Sequence, residues 1–263
     1  MIDSEILSQN IGKNEPPRRI RWTPALVERF WQGFSQTRLV EHSFSRQGGR
    51  SLIIAVDHLL PRSGEILDYG AGDGDLVQMM CERGLKASAY EPSEKRSETL
   101  KNRLQKYTDF LGIIKPETQK SFDVVIAAEI IEHVLDEQID ICLRRIHSFV
   151  RPEGVLIVTA PNNEDLDLGM AYCPVSNTLF HRWQHVRSFT DRSLADLLSQ
   201  YGFQEIASHH VEFNDTLFVP YDALWGSAAE KDNMPSHIVE LRANRSVRMG
   251  AENNLLYIGR RKI

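Results

Sequence analysis

From about residue 64 to the end of the chain, short apolar runs alternate with stretches whose apolar residues recur at helical spacing. The runs at 65–69, 87–91, 110–114, 124–128, 155–159, 203–211 and 255–259 predict seven strands. Those at 124–128 and 155–159 are almost continuously apolar, as strands covered on both faces are. Amphipathic helices are expected between them. One carries Ile139, Cys142, Leu143, Ile146, Phe149 and Val150; another opens on Thr190, carries Leu194, Leu197, Leu198 and Tyr201, and stops at Gly202. Ahead of the first strand, Thr23-Pro24 cap a helix with Leu26, Val27, Phe30, Trp31 and Phe34 on its apolar side, and a second helix is expected over 49–60.

This alternation predicts an α/β fold: a doubly wound, mainly parallel seven-stranded sheet with helices on both faces. The chain divides into a loose polar tail at 1–18, an N-terminal helical cap at 19–60 and a main domain at 61–263. Two segments break the alternation, 163–187 and 214–252. Long connections in compact domains usually carry function, so both are read as lid-like insertions over the carboxyl ends of the strands.

Composition narrows the function classes. With 31 basic against 36 acidic residues the net charge is −5, which gives no general excess for holding a polyanion and argues against a nucleic-acid partner. Arg18, Arg19 and Arg21 read as a solvated basic arm. Cys81, Cys142 and Cys173 are far apart and form no CxxC pair, so a disulfide framework or zinc knuckle is not expected. No run approaches the roughly 20 apolar residues of a membrane span. The first residues also lack the apolar core of a signal peptide. The expected location is the cytoplasm, without membrane contact.

Between the first strand and its helix lies Asp68-Tyr69-Gly70-Ala71-Gly72-Asp73-Gly74. Glycines there permit a tight turn and close approach of a ligand to the backbone. Glu91, at the end of the next strand, is placed to accept both hydroxyls of a ribose. The spacing is G-x-G-x-G, not the dinucleotide G-x-G-x-x-G. The nearby acids Asp68, Asp73 and Asp75 would repel a pyrophosphate but tolerate a cationic ligand.

A second cluster follows the fourth strand: Glu129-Ile130-Ile131-Glu132-His133-Val134. On a helical turn Glu129, Glu132 and His133 would share a face. Downstream, the stretch at 180–190 brings in His181 and His185. Such a set can supply a histidine base near neutral pKa, with His133, His181 and His185 as candidates. It can also hold a divalent metal, suiting Mn, Fe or Zn better than Mg.

Over roughly 52–213 these features resemble the class I, Rossmann-like S-adenosylmethionine-dependent methyltransferases. The glycine loop resembles their first motif, and Tyr90-Glu91-Pro92 and Phe122-Asp123-Val124-Val125-Ile126 also resemble that family. The E-x-x-E-H motif with a later histidine resembles the ubiquinone-pathway O-methyltransferases and, over a shorter stretch, the small-RNA 2′-O-methyltransferases. The resemblance implies S-adenosylmethionine as cofactor. Gly70 and Gly72 would hold its methionine part, Glu91 its ribose, and Asp68 would order the loop. Glu129 would either contact the methionine end or join Glu132, His133 and His185 around a metal. The acceptor it implies is a small-molecule hydroxyl or amine, such as a sugar or other biosynthetic intermediate. The alternatives are a metal-assisted RNA 2′-O-methyltransferase and a catalytically silent cofactor-binding module. Trp183, Phe213, Tyr221 and Trp225 are each read as either pocket lining or packing, and His209 and His210 as structural.

Overall fold

The computed structural model describes residues 15–226 and 234–263. Among them, eight strands form one sheet in the order β10-β9-β11-β6-β5-β2-β3-β4. In chain order these are β2 (Glu65–Tyr69), β3 (Lys86–Tyr90), β4 (Phe110–Ile113), β5 (Phe122–Ala128), β6 (Val150–Pro161), β9 (Phe203–Val211), β10 (Arg248–Met249) and β11 (Asn254–Arg261). All pairings are parallel except those of β11, which runs antiparallel to both β6 and β9. The sheet has one strand more than the seven expected, because Arg248 and Met249 pair beside His210 and Val211. A two-residue edge strand carries no periodicity a sequence reading can detect.

Successive residues of the central strands feed opposite faces, as the pleat requires. Ile66, Val124, Ile126 and Ile157 join one core with Leu52–Val56 (52–56), Leu76, Val77, Met80 and Leu100. Leu67, Val125, Ala127 and Val158 join the other with Leu143, Ile146, Phe149, Leu194 and Leu198. The helices are α1 (Pro24–Ser35), α2 (Phe44–Gln47), α3 (Gly49–Val56), α4 (Asp75–Glu82), α5 (Glu94–Leu104), α6 (Ile139–Phe149), α7 (Asp191–Gln200), α8 (Asp215–Phe218) and α9 (Ser236–Arg242). Thr23 caps α1 through Leu26 N–H with Pro24 in its first turn, and Thr190 and Ser193 form a capping box on α7. The helix expected over 49–60 ends at Val56 and continues as a 3₁₀ turn, Asp57–Leu59.

The two irregular segments are built differently from one another. Within 163–187, β7 (Met170–Cys173) and β8 (Thr178–His181) form an antiparallel hairpin, and β1 (Arg18–Arg19) pairs parallel with β8. The chain is therefore already paired at Arg18, where a loose tail was expected, while Arg18 and Arg19 stay exposed and Arg19 bonds the exposed Asp167 at 2.7 Å. Residues 1–14 of that tail lie outside the described residues, as do 227–233 of the second insertion. The described parts of 214–252 brace the core: Phe218, Ile238, Leu241 and Met249 are buried with α3. Asp222 takes a two-pronged ion pair from Arg83 at 2.9 and 3.0 Å, and Trp225 lies over the same guanidinium. Phe213 packs between Phe44 and Phe218. Phe213 and Trp225 are thus packing residues, and Tyr221 packs against the same core. No helix among the described residues is long and apolar enough to cross a membrane.

Candidate active site

The strand order reverses between β2 and β5, and open α/β sheets bind ligands at the carboxyl ends of strands flanking such a switch. Asp68 pairs with Ala89 on one side and Ile126 on the other. The glycine loop, Glu91 and Glu129 therefore emerge level with one another.

The loop turns because Gly70 adopts φ +83° and Gly72 φ +56°. A β-carbon on Gly70 would stand 2.3 Å from the Ile130 Cδ1, so a side chain there would clash as well as strain. The N–H groups of Gly70 and Ala71 donate to the Tyr90 carbonyl. Glu91 is buried and accepts from the N–H of Gly72 and of Ser93, each at 3.0 Å. Burial raises its carboxyl above the usual range, against the pull of Arg96 and these two donors. Asp68 is buried beside Glu91 and Asp75 and is pushed up to about 7, mainly by burial. Asp75 is not free to face a ligand: Arg103 bonds it at 2.6 Å and Arg46 at 3.1 Å.

Glu129 follows β5 in the left-handed region, φ +51°, an unusual conformation for a residue with a side chain and one that clusters at functional sites. Its N–H is held by Thr159, and Asn254 donates to its carboxylate at 3.2 Å. After it the chain makes only a tight turn, with His133 N–H on the Ile130 carbonyl, not the helix whose face was to unite the motif.

What brings the later histidines in is backbone clamping. Val186 N–H donates to the Glu132 carbonyl, Gln184 Nε2 to that of His133, and Arg187 to that of Ile131. Gln184 is itself held by Trp31 Nε1–H at 2.9 Å, so α1 reaches the same place. The His133 ring then lies 4.8 Å from the rings of both Trp31 and His185, between centroids.

Two overlapping trios result. Potential ligand atoms of Glu132, His133 and His185 lie within 4.8 Å of one another, and so do those of Glu164, His181 and His185. Of the expected quartet, Glu132, His133 and His185 fall in one trio; Glu129 belongs to neither, although its carboxyl contacts that of Glu132. Glu164, absent from the quartet, is the group the sequence reading missed. Glu132 is fully buried, and neither of its carboxylate oxygens meets a donor among the described residues. The Glu129 carboxyl is within reach and can partner it only by sharing a proton. Burial raises both acids; Glu129 is pushed up to about 7 against its hydrogen bonds with Thr159, Asn254 and Glu132, whereas the Glu129 carboxyl raises Glu132 further. His133 is held well below its ordinary value by burial and by His185 and His181, and therefore stays neutral. Burial would raise Glu164, but the pull of His181 and His185 wins and holds it at about 2. Trp183 packs edge-on against Phe34.

A family profile described as "Methyltransferase domain" matches residues 44–208, more than half of the chain. The ubiquinone biosynthesis O-methyltransferase of Azorhizobium caulinodans is 27% identical over 183 residues, 64% of this chain and 67% of that protein. Its counterpart in Mesorhizobium japonicum is 30% identical over 124 residues, 45% of this chain and 48% of that protein. The chain thus spans between about half and two thirds of these relatives. The crystal structure of a Burkholderia thailandensis 1,6-didemethyltoxoflavin-N1-methyltransferase, with its acceptor and S-adenosylhomocysteine bound, superposes with a TM-score of 0.60 at 17% identity, covering 94% of both chains. At that identity the likeness is one of fold.

Proposed function

We propose that this chain, which belongs to the methyltransferase-domain family and is an S-adenosylmethionine-dependent methyltransferase, methylates a hydroxyl or amine of a small molecule. The observation that carries the reading is the level placement, at one sheet edge, of a glycine loop, a ribose-type acid and a buried carboxylate–imidazole cluster. Gly70 and Gly72 open the backbone to the methionine part of the cofactor, and Glu91 takes the ribose. Asp68, beneath the loop, favours a cationic ligand, because a positive charge nearby returns its proton to solvent.

When bound, S-adenosylmethionine supplies a methyl group already activated on a sulfonium. The protein's task is alignment and exclusion of water, and alignment alone is worth about 7–11 kcal/mol. The segment 184–187 that follows the hairpin, clamped onto the E-x-x-E-H turn, provides cover. An imidazole, His133 or His185, takes the proton that a hydroxyl or ammonium acceptor must lose. The 1,6-didemethyltoxoflavin-N1-methyltransferase of similar fold binds 1,6-didemethyltoxoflavin, a small molecule, and the acidic net charge of this chain favours such an acceptor over RNA.

The cluster also fits a divalent cation. A fully buried carboxylate without a donor, beside a buried His133 Nδ1 that also lacks a partner among the described residues, has the chemistry of a ligand set. Glu132, His133 and His185 would hold the ion, with two imidazoles favouring Mn, Fe or Zn over Mg. A cation there would lower the pKa of an acceptor oxygen.

Transfer of labelled methyl groups to pools of small hydroxyl and amine compounds, with RNA ends run in parallel, tests the acceptor class. Labelling of RNA alone would overturn it. His133→Ala and His185→Ala should each lower turnover by roughly 10²–10⁴-fold, with S-adenosylhomocysteine affinity retained. Activity lost to chelator and restored by manganese would establish the cation; chelator-insensitive activity would leave the imidazole as the base.

A further inference from the structure

Glu164 stands on the loop between β6 and the hairpin and gives one carboxylate oxygen to each of two histidines. Its Oε2 lies 2.5 Å from His185 Nδ1 and its Oε1 3.4 Å from His181 Nε2. An ionised carboxylate is an acceptor only, so the Nδ1 of His185 carries the proton. In the neutral ring the lone pair is then on Nε2.

His181 is constrained differently. Its Nδ1 accepts the backbone N–H of His185 at 3.1 Å and of Trp183 at 3.4 Å. Its proton is therefore on Nε2, on the side of Glu164, and neither nitrogen has a lone pair to spare. The ring is almost wholly buried and stacks on His185 with centroids 4.5 Å apart and planes 23° apart. Space for it comes from Gly169, where a β-carbon would stand 1.9 Å from His181 Nε2. Of the two trios, the one built on Glu164 thus consists of a carboxylate hydrogen-bonded by His185 Nδ1, with His181 Nε2 near its other oxygen but making no hydrogen bond among the described residues, and with no lone pair open on His181.

We infer that Glu164 is a positioning residue that holds His185 in its Nδ1–H form and so presents the Nε2 lone pair for use, while His181 supports the ring from behind and is neither ligand nor base. The inference rests on the reading of His185 as a working imidazole. It goes beyond that reading in assigning the working nitrogen and its determinant. A carboxylate on the far nitrogen fixes the ring and raises its basicity, whether Nε2 meets a cation or a proton.

The direct test is the tautomer of His185 in metal-free, full-length protein labelled with ¹⁵N-histidine, read from long-range ¹H–¹⁵N spectra and assigned with His185→Gln. Wild type should show the Nδ1–H form at His185 and the Nε2–H form at His181. In Glu164→Gln the His185 signal should move toward Nε2–H, and Glu164→Asp should restore part of the original pattern. Cobalt(II) affinity by titration calorimetry should fall about 10–100-fold in Glu164→Gln, with S-adenosylhomocysteine affinity within twofold of wild type. An Nε2–H His185 in wild type, or an unchanged tautomer in folded Glu164→Gln, overturns the inference. Wild type that shows the Nδ1–H form but binds no cobalt ends the cation reading alone. Glu164 then orients a base, and Glu164→Gln should lower kcat with KM unchanged; an unchanged kcat in that case also overturns the inference. The wild-type spectrum decides the point even if the variants fail to fold.

Discussion

Arg96 lies across Gly72 and reaches for Glu91. Its Nη1 is 3.7 Å from Glu91 Oε2, and its Nη2 is 2.7 Å from where a β-carbon on Gly72 would stand. The guanidinium therefore shares the carboxylate assigned to the ribose. A bound nucleoside has to displace it or lie against it. Arg96→Ala should bind S-adenosylhomocysteine as tightly as wild type or several-fold more tightly by calorimetry. A tenfold loss would make Arg96 a cofactor contact.

Glu91, the proposed ribose acid, also orders the loop, since it accepts the N–H groups of Gly72 and Ser93. Glu91→Ala should weaken cofactor binding by about 1–3 kcal/mol, the range for a hydrogen bond to a charged group. The far-ultraviolet circular dichroism should not change. Unchanged affinity in a folded variant would remove Glu91 from the cofactor site.

Gly169 is required by what stands opposite it, not by its own backbone angles. Gly169→Ala would push its methyl into the buried His181 ring, and overpacking of this kind costs about 1–3 kcal/mol. Urea unfolding should show that loss together with reduced turnover, because His185 leans on His181. Wild-type stability and activity in Gly169→Ala would mean the hairpin shifts freely.

His209 supplies a pH dependence away from the site. It is fully buried on β9, accepts Val247 N–H at 3.3 Å, and is lowered to about 4 by burial and by His58. The unfolded chain binds a proton near pH 6.5, so this contribution is complete above 6.5 and is lost as pH falls toward 4. Between pH 7 and pH 5 wild type should lose about 2 kcal/mol more stability than His209→Gln. Parallel urea titrations of the two proteins check this, and equal losses would show that His209 is already protonated in the fold.

Much of the architecture was legible because it follows from local rules. The capped starts of α1 and α7 are written in Thr23-Pro24 and Thr190, and β2 and β9 lie at 65–69 and 203–211 as read. The glycine loop and Glu91 were legible for the same reason: a strand–turn–helix places them within one short stretch of chain, and pairing of adjacent parallel strands levels their ends. The cysteines are free, as their spacing implied.

The histidine cluster was only partly legible. Glu132, His133 and His185 could be named from residue type, but their reason for meeting was misread. A helical face was expected, whereas a turn and three hydrogen bonds from 184–187 to backbone carbonyls do the work. Glu164, Trp31 and Arg96 had no signal at all, since one acid, one aromatic and one arginine in ordinary surroundings look like solvated or packing residues. In the 214–252 segment the sequence left two readings open for a related reason: aromatic residues that brace a core have the same composition as aromatic residues that line a pocket.

The sequence by itself determined the fold class and the place of the glycine loop, because strand period, helix capping and glycine conformation act over a few residues. Only the tertiary structure decided which carboxylate holds which imidazole. Glu164 and His185 are 21 residues apart, and no local preference specifies that the chain between them will set one oxygen against Nδ1 of one ring and the other beside Nε2 of its neighbour. Long-range backbone hydrogen bonds and the space left by Gly169 make that choice. The choice determines which nitrogen is left to do chemistry.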